Sequence, residues 1–179
     1  NTRAFFRFCP LLIKLLEHTT SSFLISALLI SNICFFLSLL MFHKLVSSNF
    51  KKNVADWSVL FLLAFPTSFY FGSVYTEGLF FLLICSSFYL QQKGKLLEAS
   101  ILGVFASATR LVGVFLAPAL ALRQKFRRAL NPLLVVPIGL LSYIVYLKYE
   151  FNNPLYFINS QAVFGQGREN VPVVLLPQV

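Results

Sequence analysis

Charge is scarce in this sequence, and scarcest where apolar residues run longest. The 179 residues include only six Asp and Glu. The runs 23–42 and 129–147 hold no charged residue, 57–92 holds Glu77 alone, and 99–122 holds Arg110 alone. About 20 apolar residues cross a ~30 Å hydrocarbon core, so runs of this length predict membrane spans. An acid or guanidinium among them costs on the order of 3 kcal/mol at a helix centre unless it meets water, a partner or a ligand. Glu77 and Arg110 are therefore the first places to look for function.

Cysteine is equally sparse. Cys9, Cys34 and Cys85 are odd in number and lack metal-type spacing, so neither a disulfide framework nor a zinc site follows. Cys34 and Cys85 fall in apolar runs and read as small hydrophobes. His18 and His43 each stand alone at the edge of an apolar run, as interfacial polar residues do. A phosphate-cradling Gly-rich loop, a nucleophile elbow and a metal-ligand cluster are all missing, which removes the common soluble-enzyme chemistries. There is no charged leader with an apolar core and small-residue cleavage site, no internal repeat and no low-complexity tract. The chain opens at Asn1 without Met and closes part-way into another apolar segment, so it is read as an internal piece of a longer polytopic protein.

What is present points the same way. A hydrophobic content of 58% with mean hydropathy +0.76 excludes an ordinary soluble domain. Twenty-one Phe suit lipid-facing and helix-packing surface. The net charge of +9 does not imply nucleic acid, because the basic residues cluster in short loops between apolar runs. Lys44, Lys51 and Lys52 form the first basic loop, Lys93 and Lys95 the second, and Arg123, Lys125, Arg127 and Arg128 the third. The positive-inside rule places all three (43–56, 92–98 and 123–130) on the cytoplasmic face.

This fixes the crossings. Run 57–92 must cross an even number of times, and its polar break between Gly72 and Gly78 predicts a hairpin of helices 57–72 and 78–92 with an outward apex at 73–77. The arms are short, so either they extend into the apex or the apex lies below the membrane surface in a protein-lined cavity. Pro66 is expected to kink the first arm. Run 99–122 suits one span by length but two by the charge rule, and a broken or re-entrant pair, 99–109 and 111–122, turning at Thr109–Arg110 satisfies both. Helices 23–42 and 131–148 complete the membrane set, with 150–172 an external loop and 1–20 an interfacial helix. The expected fold class is an all-α polytopic membrane protein, one domain over 1–179.

Glu77 can act as a base, orient a hydroxyl or pair with a cation, or it can simply cap the helix beginning at Gly78. Its neighbours Tyr75 and Thr76 add hydroxyls to a polar cradle. Arg110 is a permanent planar fork suited to phosphate, or to a structural ion pair, Glu77 included. Gln161 and Arg168, on the outer loop, are either binding groups or solvated loop residues.

Several stretches resemble one family. Residues 65–80, reading FPTSFYFGSVYTEGLF, are similar to the "FPxSxF…YTE(S/G)LF" stretch of the PIG-V family, the second mannosyltransferase of GPI-anchor assembly and its bacterial relatives. Residues 106–113, ASATRLVG, resemble its "A.TR..G" element, and 4–12 its "AFFPLYPLL". Asn153-Pro154-Leu155-Tyr156-Phe157 with Gln161 and Arg168 resembles its "DPLAF…Q…R" loop. The resemblance implies a GT-C-like helix bundle with short, partly broken helices. It implies transfer of mannose from a polyprenyl-phosphate carrier to a lipid-linked or glycan acceptor on the external or lumenal face, without metal or other cofactor. Substrate-binding positions carried over are Tyr75, Thr76, Glu77, Thr109, Arg110, Gln161 and Arg168. The expected membrane is a bacterial plasma membrane, or the endoplasmic reticulum in a eukaryote. Two departures stand out: Arg7 and Cys9 replace a proline and an aromatic, and the acidic loop supplying the catalytic base would precede Asn1. The alternatives are a GT-C transferase for another sugar or a protein acceptor, and a transporter or lipid flippase in which Glu77 and Arg110 are gating charges.

Overall fold

The computed structural model describes residues 23–151 other than 74 and 123. The expected interfacial helix 1–20, most of loop 150–172, and with them Gln161, Arg168, His18 and Cys9, lie outside the described residues. The chain divides into two compact units, Phe6–Tyr143 and a second made of Asn1–Phe5 with Ile144–Val179. All that follows concerns the first.

Regular structure among the described residues is entirely helical. The elements are α1 (Phe23–Ser47), α2 (Lys52–Ala64), α3 (Phe69–Gly72), α4 (Glu77–Gln92), α5 (Leu96–Thr109), a 3₁₀ turn (Leu111–Phe115), α6 (Leu116–Ala121), α7 (Phe126–Val135) and α8 (Pro137–Phe151). Two stretches, Phe23–Ser47 and Arg127–Tyr149, are long and apolar enough to cross a membrane, and Leu96–Thr109 and Leu111–Ala121 are shorter apolar helices.

Local chemistry sets the breaks. Phe65 precedes Pro66 and is extended (φ −67°, ψ 132°), because the proline ring crowds the helical conformation of the residue before it. Pro66 therefore ends α2 rather than kinking it, and the single arm expected over 57–72 is two helices, α2 and α3. Gly94, at φ 78°, turns the chain between α4 and α5 in a conformation that costs glycine little. Arg110 is extended (φ −147°, ψ 143°) and interrupts the apolar run where the sequence suggested a turn. The expected helix 131–148 starts earlier, at Phe126, so Arg127 and Arg128 belong to a helix and not to a loop, and the element divides at Pro137.

Two hydrogen bonds and one ion pair fix the direction of these segments. Ser48 Oγ donates to Gln92 Oε1 at 2.6 Å, joining the end of α1 to the end of α4. Gln91 Nε2 donates to the Leu120 carbonyl at 2.6 Å, which brings α6 to that same end. At the other end, Arg110 meets Glu77. The chain thus leaves the Gln91 end along α5, reverses at Arg110 and returns. Gly113 makes the reversal possible: a Cβ there would overlap the Ala106 carbonyl group and the Ser107 nitrogen.

Cysteines placed singly at Lys44, Lys93 and Gln124, in a background lacking Cys9, Cys34 and Cys85, should all be labelled from one side by an impermeant reagent. Opposite sidedness at Gln124 would be incompatible with this reversal.

The core combines leucines, among them Leu79, Leu83, Leu116 and Leu120, with many small residues. Ser26, Ala27, Ser31 and Ser38 form the buried face of α1, and Ala99, Ser100, Gly103, Ala106 and Ser107 most of that of α5. Other large side chains face out: Phe61, Phe115 and Leu122 are 65%, 70% and 84% exposed. The buried hydroxyls bond to carbonyls, either back along their own helix, as Ser100 to Leu96 (2.8 Å), or across helices, as Ser87 to Ala99 (2.8 Å) and Ser107 to Val136 (2.7 Å).

Candidate functional site

Glu77 opens α4, where an acid is favoured by the unpaired N–H groups and dipole of the first turn. Thr76 precedes it without a side-chain capping bond. The α3–α4 corner is held against α1. Ser31 Oγ donates towards the carbonyls of Phe71 and Ser73, and Asn32 Nδ2 reaches the Gly72 carbonyl at 3.2 Å. Gly78 lets this contact close, since a Cβ would stand 3.1 Å from both the Phe71 and Ser31 carbonyl oxygens. Ser31 comes eight residues after the start of α1, so that helix extends about 12 Å past the corner.

Arg110 lies between α5 and the 3₁₀ turn, 33 residues from Glu77 in sequence. Its Nη1 donates to Glu77 Oε1 at 2.8 Å, and its guanidinium carbon stands 5.8 Å from the centroid of the Phe80 ring, one helical turn along α4. Arg110 therefore lies along one face of α4. The side chains of Arg110 and Glu77 retain 39% and 26% of their exposure. Glu77 Oε2 is shielded from solvent and has no partner among the described residues. Among the described residues the pair thus has two unmatched groups: guanidinium N–H groups beyond the one bonded to Glu77, and one carboxylate oxygen. An anion can meet the first and a hydroxyl the second.

The other expected site residues divide. Tyr75 is exposed and packs edge-on against Tyr70, with centroids 5.6 Å apart, beside Thr76 and Glu77. Thr109 is buried, and its hydroxyl is taken up by the Phe105 carbonyl at 2.7 Å, finishing α5. His43 is not alone: its Nε2 lies 2.9 Å from Asp56 Oδ1. Cys34 and Cys85 are free thiols, half-buried and buried.

Sequence reading missed Ser31 and Asn32 and gave no role to Gly113, the last residue of the 106–113 stretch; all three position the site. Small or polar residues inside apolar runs were the signal available. Among the described residues no three His, Cys, Asp or Glu side chains gather to form a metal site. Comparison with family models, curated proteins and solved structures returned no match.

Proposed function

We propose that this chain belongs to the membrane-embedded core of a GT-C-like transferase, which moves a sugar, mannose by the family resemblance, from a polyprenyl-phosphate carrier to a hydroxyl acceptor. The Glu77–Arg110 pair, with guanidinium N–H groups and a Glu77 Oε2 unmatched among the described residues, carries the reading. Packing supports the membrane setting. Lipid is as apolar as Leu, so helices in it associate through small residues and interhelical hydroxyl bonds while large side chains face outward. That is the arrangement of α1 and most of α5, while α4 between them buries Leu79 and Leu83 beside Gly78 and Ser87. The three basic loops then face the cytoplasm, in a bacterial plasma membrane or the endoplasmic reticulum, and the pair faces the opposite compartment.

In the reaction, the acceptor oxygen attacks the anomeric carbon and the carbon–oxygen bond to the carrier phosphate breaks. The polyprenyl phosphate leaves with the electron pair, and the acceptor proton passes to a base outside the described residues. Arg110 binds the phosphate through the N–H groups not bonded to Glu77, where charge-assisted bonds are worth about 1.5–3 kcal/mol. Glu77 Oε2 accepts from an acceptor hydroxyl and orients it, with Tyr75 and Thr76 alongside.

Arg110→Lys tests this, because lysine keeps the charge and loses the fork. In the full-length protein it should raise the donor KM about tenfold, with kcat and membrane insertion little changed. An unchanged donor KM together with lost protein would make the pair purely structural.

A further inference from the structure

A second feature lies at the opposite end of the bundle. The ends of α1, α4 and α6 enclose an open cleft of about 490 Å³, within the size range of ligand clefts. Its walls are apolar, from Leu45, Val46, Phe50, Phe88 and Leu122, with Ala119 between them. Its polar lining is Asn49, Gln91 and Gln92. Gln91 is engaged with the Leu120 carbonyl and Gln92 accepts through Oε1 from Ser48, which leaves the Gln92 amide N–H₂ as a donor without a partner among the described residues.

The surrounding charge is of one sign. Lys44 adjoins Leu45, Lys51 adjoins Phe50, and Lys93 adjoins Gln92, so three lysines are chain neighbours of lining residues. All three are exposed. The carboxylates of these loops are already matched, Asp56 by His43 and Glu98 by Lys95. Among the described residues, Lys44, Lys51 and Lys93 have no carboxylate partner.

We infer that this cleft holds an anionic phospholipid of the leaflet on the basic-loop side. The acyl chain would lie along the Leu45, Phe88 and Leu122 wall, and the phosphate would take the Gln92 amide and the lysine rim. The apolar wall selects for a chain, and lysines without a carboxylate partner, of which Lys93 lies 5.5 Å from the Tyr89 ring centroid, select for an anionic headgroup, a combination that basic pockets between membrane helices offer to acidic lipids. The inference rests on the membrane reading above and is independent of sugar transfer.

Full-length protein purified in non-ionic detergent is titrated with dioleoylphosphatidylglycerol or dioleoylphosphatidylcholine, and binding is read by native mass spectrometry and by the shift in thermal unfolding. Phosphatidylglycerol should bind at least tenfold more tightly. Losing one lysine near a headgroup costs roughly fivefold, so Lys44→Gln with Lys93→Gln should remove most of that preference. Ala119→Phe fills the cleft without changing charge and should abolish binding. Leu122→Glu, at a position already 84% exposed, should do the same by repulsion without disturbing packing. A phosphatidylglycerol preference that survives both cleft variants is diffuse surface attraction and overturns the site, as does equal binding of the two lipids. A chain that leaves the membrane fraction without detergent would overturn the membrane reading itself.

Discussion

Glu77→Gln in the full-length protein is expected to slow transfer by roughly 10- to 100-fold at saturating lipid donor, without abolishing it. Glutamine is isosteric and keeps Oε1 as a neutral acceptor for Arg110, so the corner of α3 and α4 should remain in place. It replaces the unpartnered Oε2, however, by an amide nitrogen that donates where an acceptor hydroxyl needs an acceptor. Losing one orienting hydrogen bond costs about 1–3 kcal/mol, whereas losing a general base costs 10²–10⁴-fold or all activity. Complete loss with normal folding would make Glu77 the base. An unchanged rate would leave it as the residue that opens α4.

The same pair can be separated into its structural and functional parts. Breaking it from either side leaves a partly buried charge unmatched, and both single charge reversals should lower stability. Glu77→Arg combined with Arg110→Glu restores an ion pair across α4 and α5. Thermal unfolding in detergent should recover in this double variant while transfer does not, because phosphate would then face a carboxylate on α5. Recovery of both would mean that the pair serves the fold alone.

A large effect on stability is expected at Gly113. A Cβ here meets backbone, the Ala106 carbonyl and the Ser107 nitrogen, and not the movable end of a side chain. The Ala106 carbonyl also accepts from the Arg110 N–H at 3.0 Å, so α5 cannot yield without losing its last turn. Gly113→Val should destabilise the protein by about 3 kcal/mol or more, as overpacking against rigid neighbours does. Because the 3₁₀ turn would be pushed off α5, Arg110 should lose its register with Glu77, and activity should fall with stability. Gly94 provides the contrast. A Cβ there meets nothing within 4 Å, and the cost of substitution lies only in its positive φ. Gly94→Ala should cost about 1–2 kcal/mol and leave activity intact. Equal losses at both glycines in unfolding scans would show that Gly113 matters for its conformation and not for close approach.

The helical class, the break at Arg110 and the two charges within apolar runs were legible in the sequence. Runs free of charge and a lone arginine in an apolar run act locally, through backbone sterics and the cost of burying charge, and they act wherever the chain goes. The end of α2 was misjudged as a kink because a proline allows either, and only the packing around it decides. His43 looked solitary because its partner Asp56 lies on the next helix.

Other features had no local signature. Hydropathy varies so little around α1, α4 and α5 that no apolar stripe marks which face is inside. Serine, alanine and glycine fill the buried face of α1 and most of that of α5, α4 adds Leu79 and Leu83, and which residues are inward depends on the neighbouring helix. The Glu77–Arg110 pair joins residues 33 apart in sequence. It forms because the single reversal at Gly94 returns the chain along α5 to the end where α4 begins, and because Gly78 and Gly113 allow the neighbouring segments close enough together. Composition told which residues were costly to bury. The tertiary structure alone determined that each would be the other's partner, since that depends on distances no local sequence preference encodes.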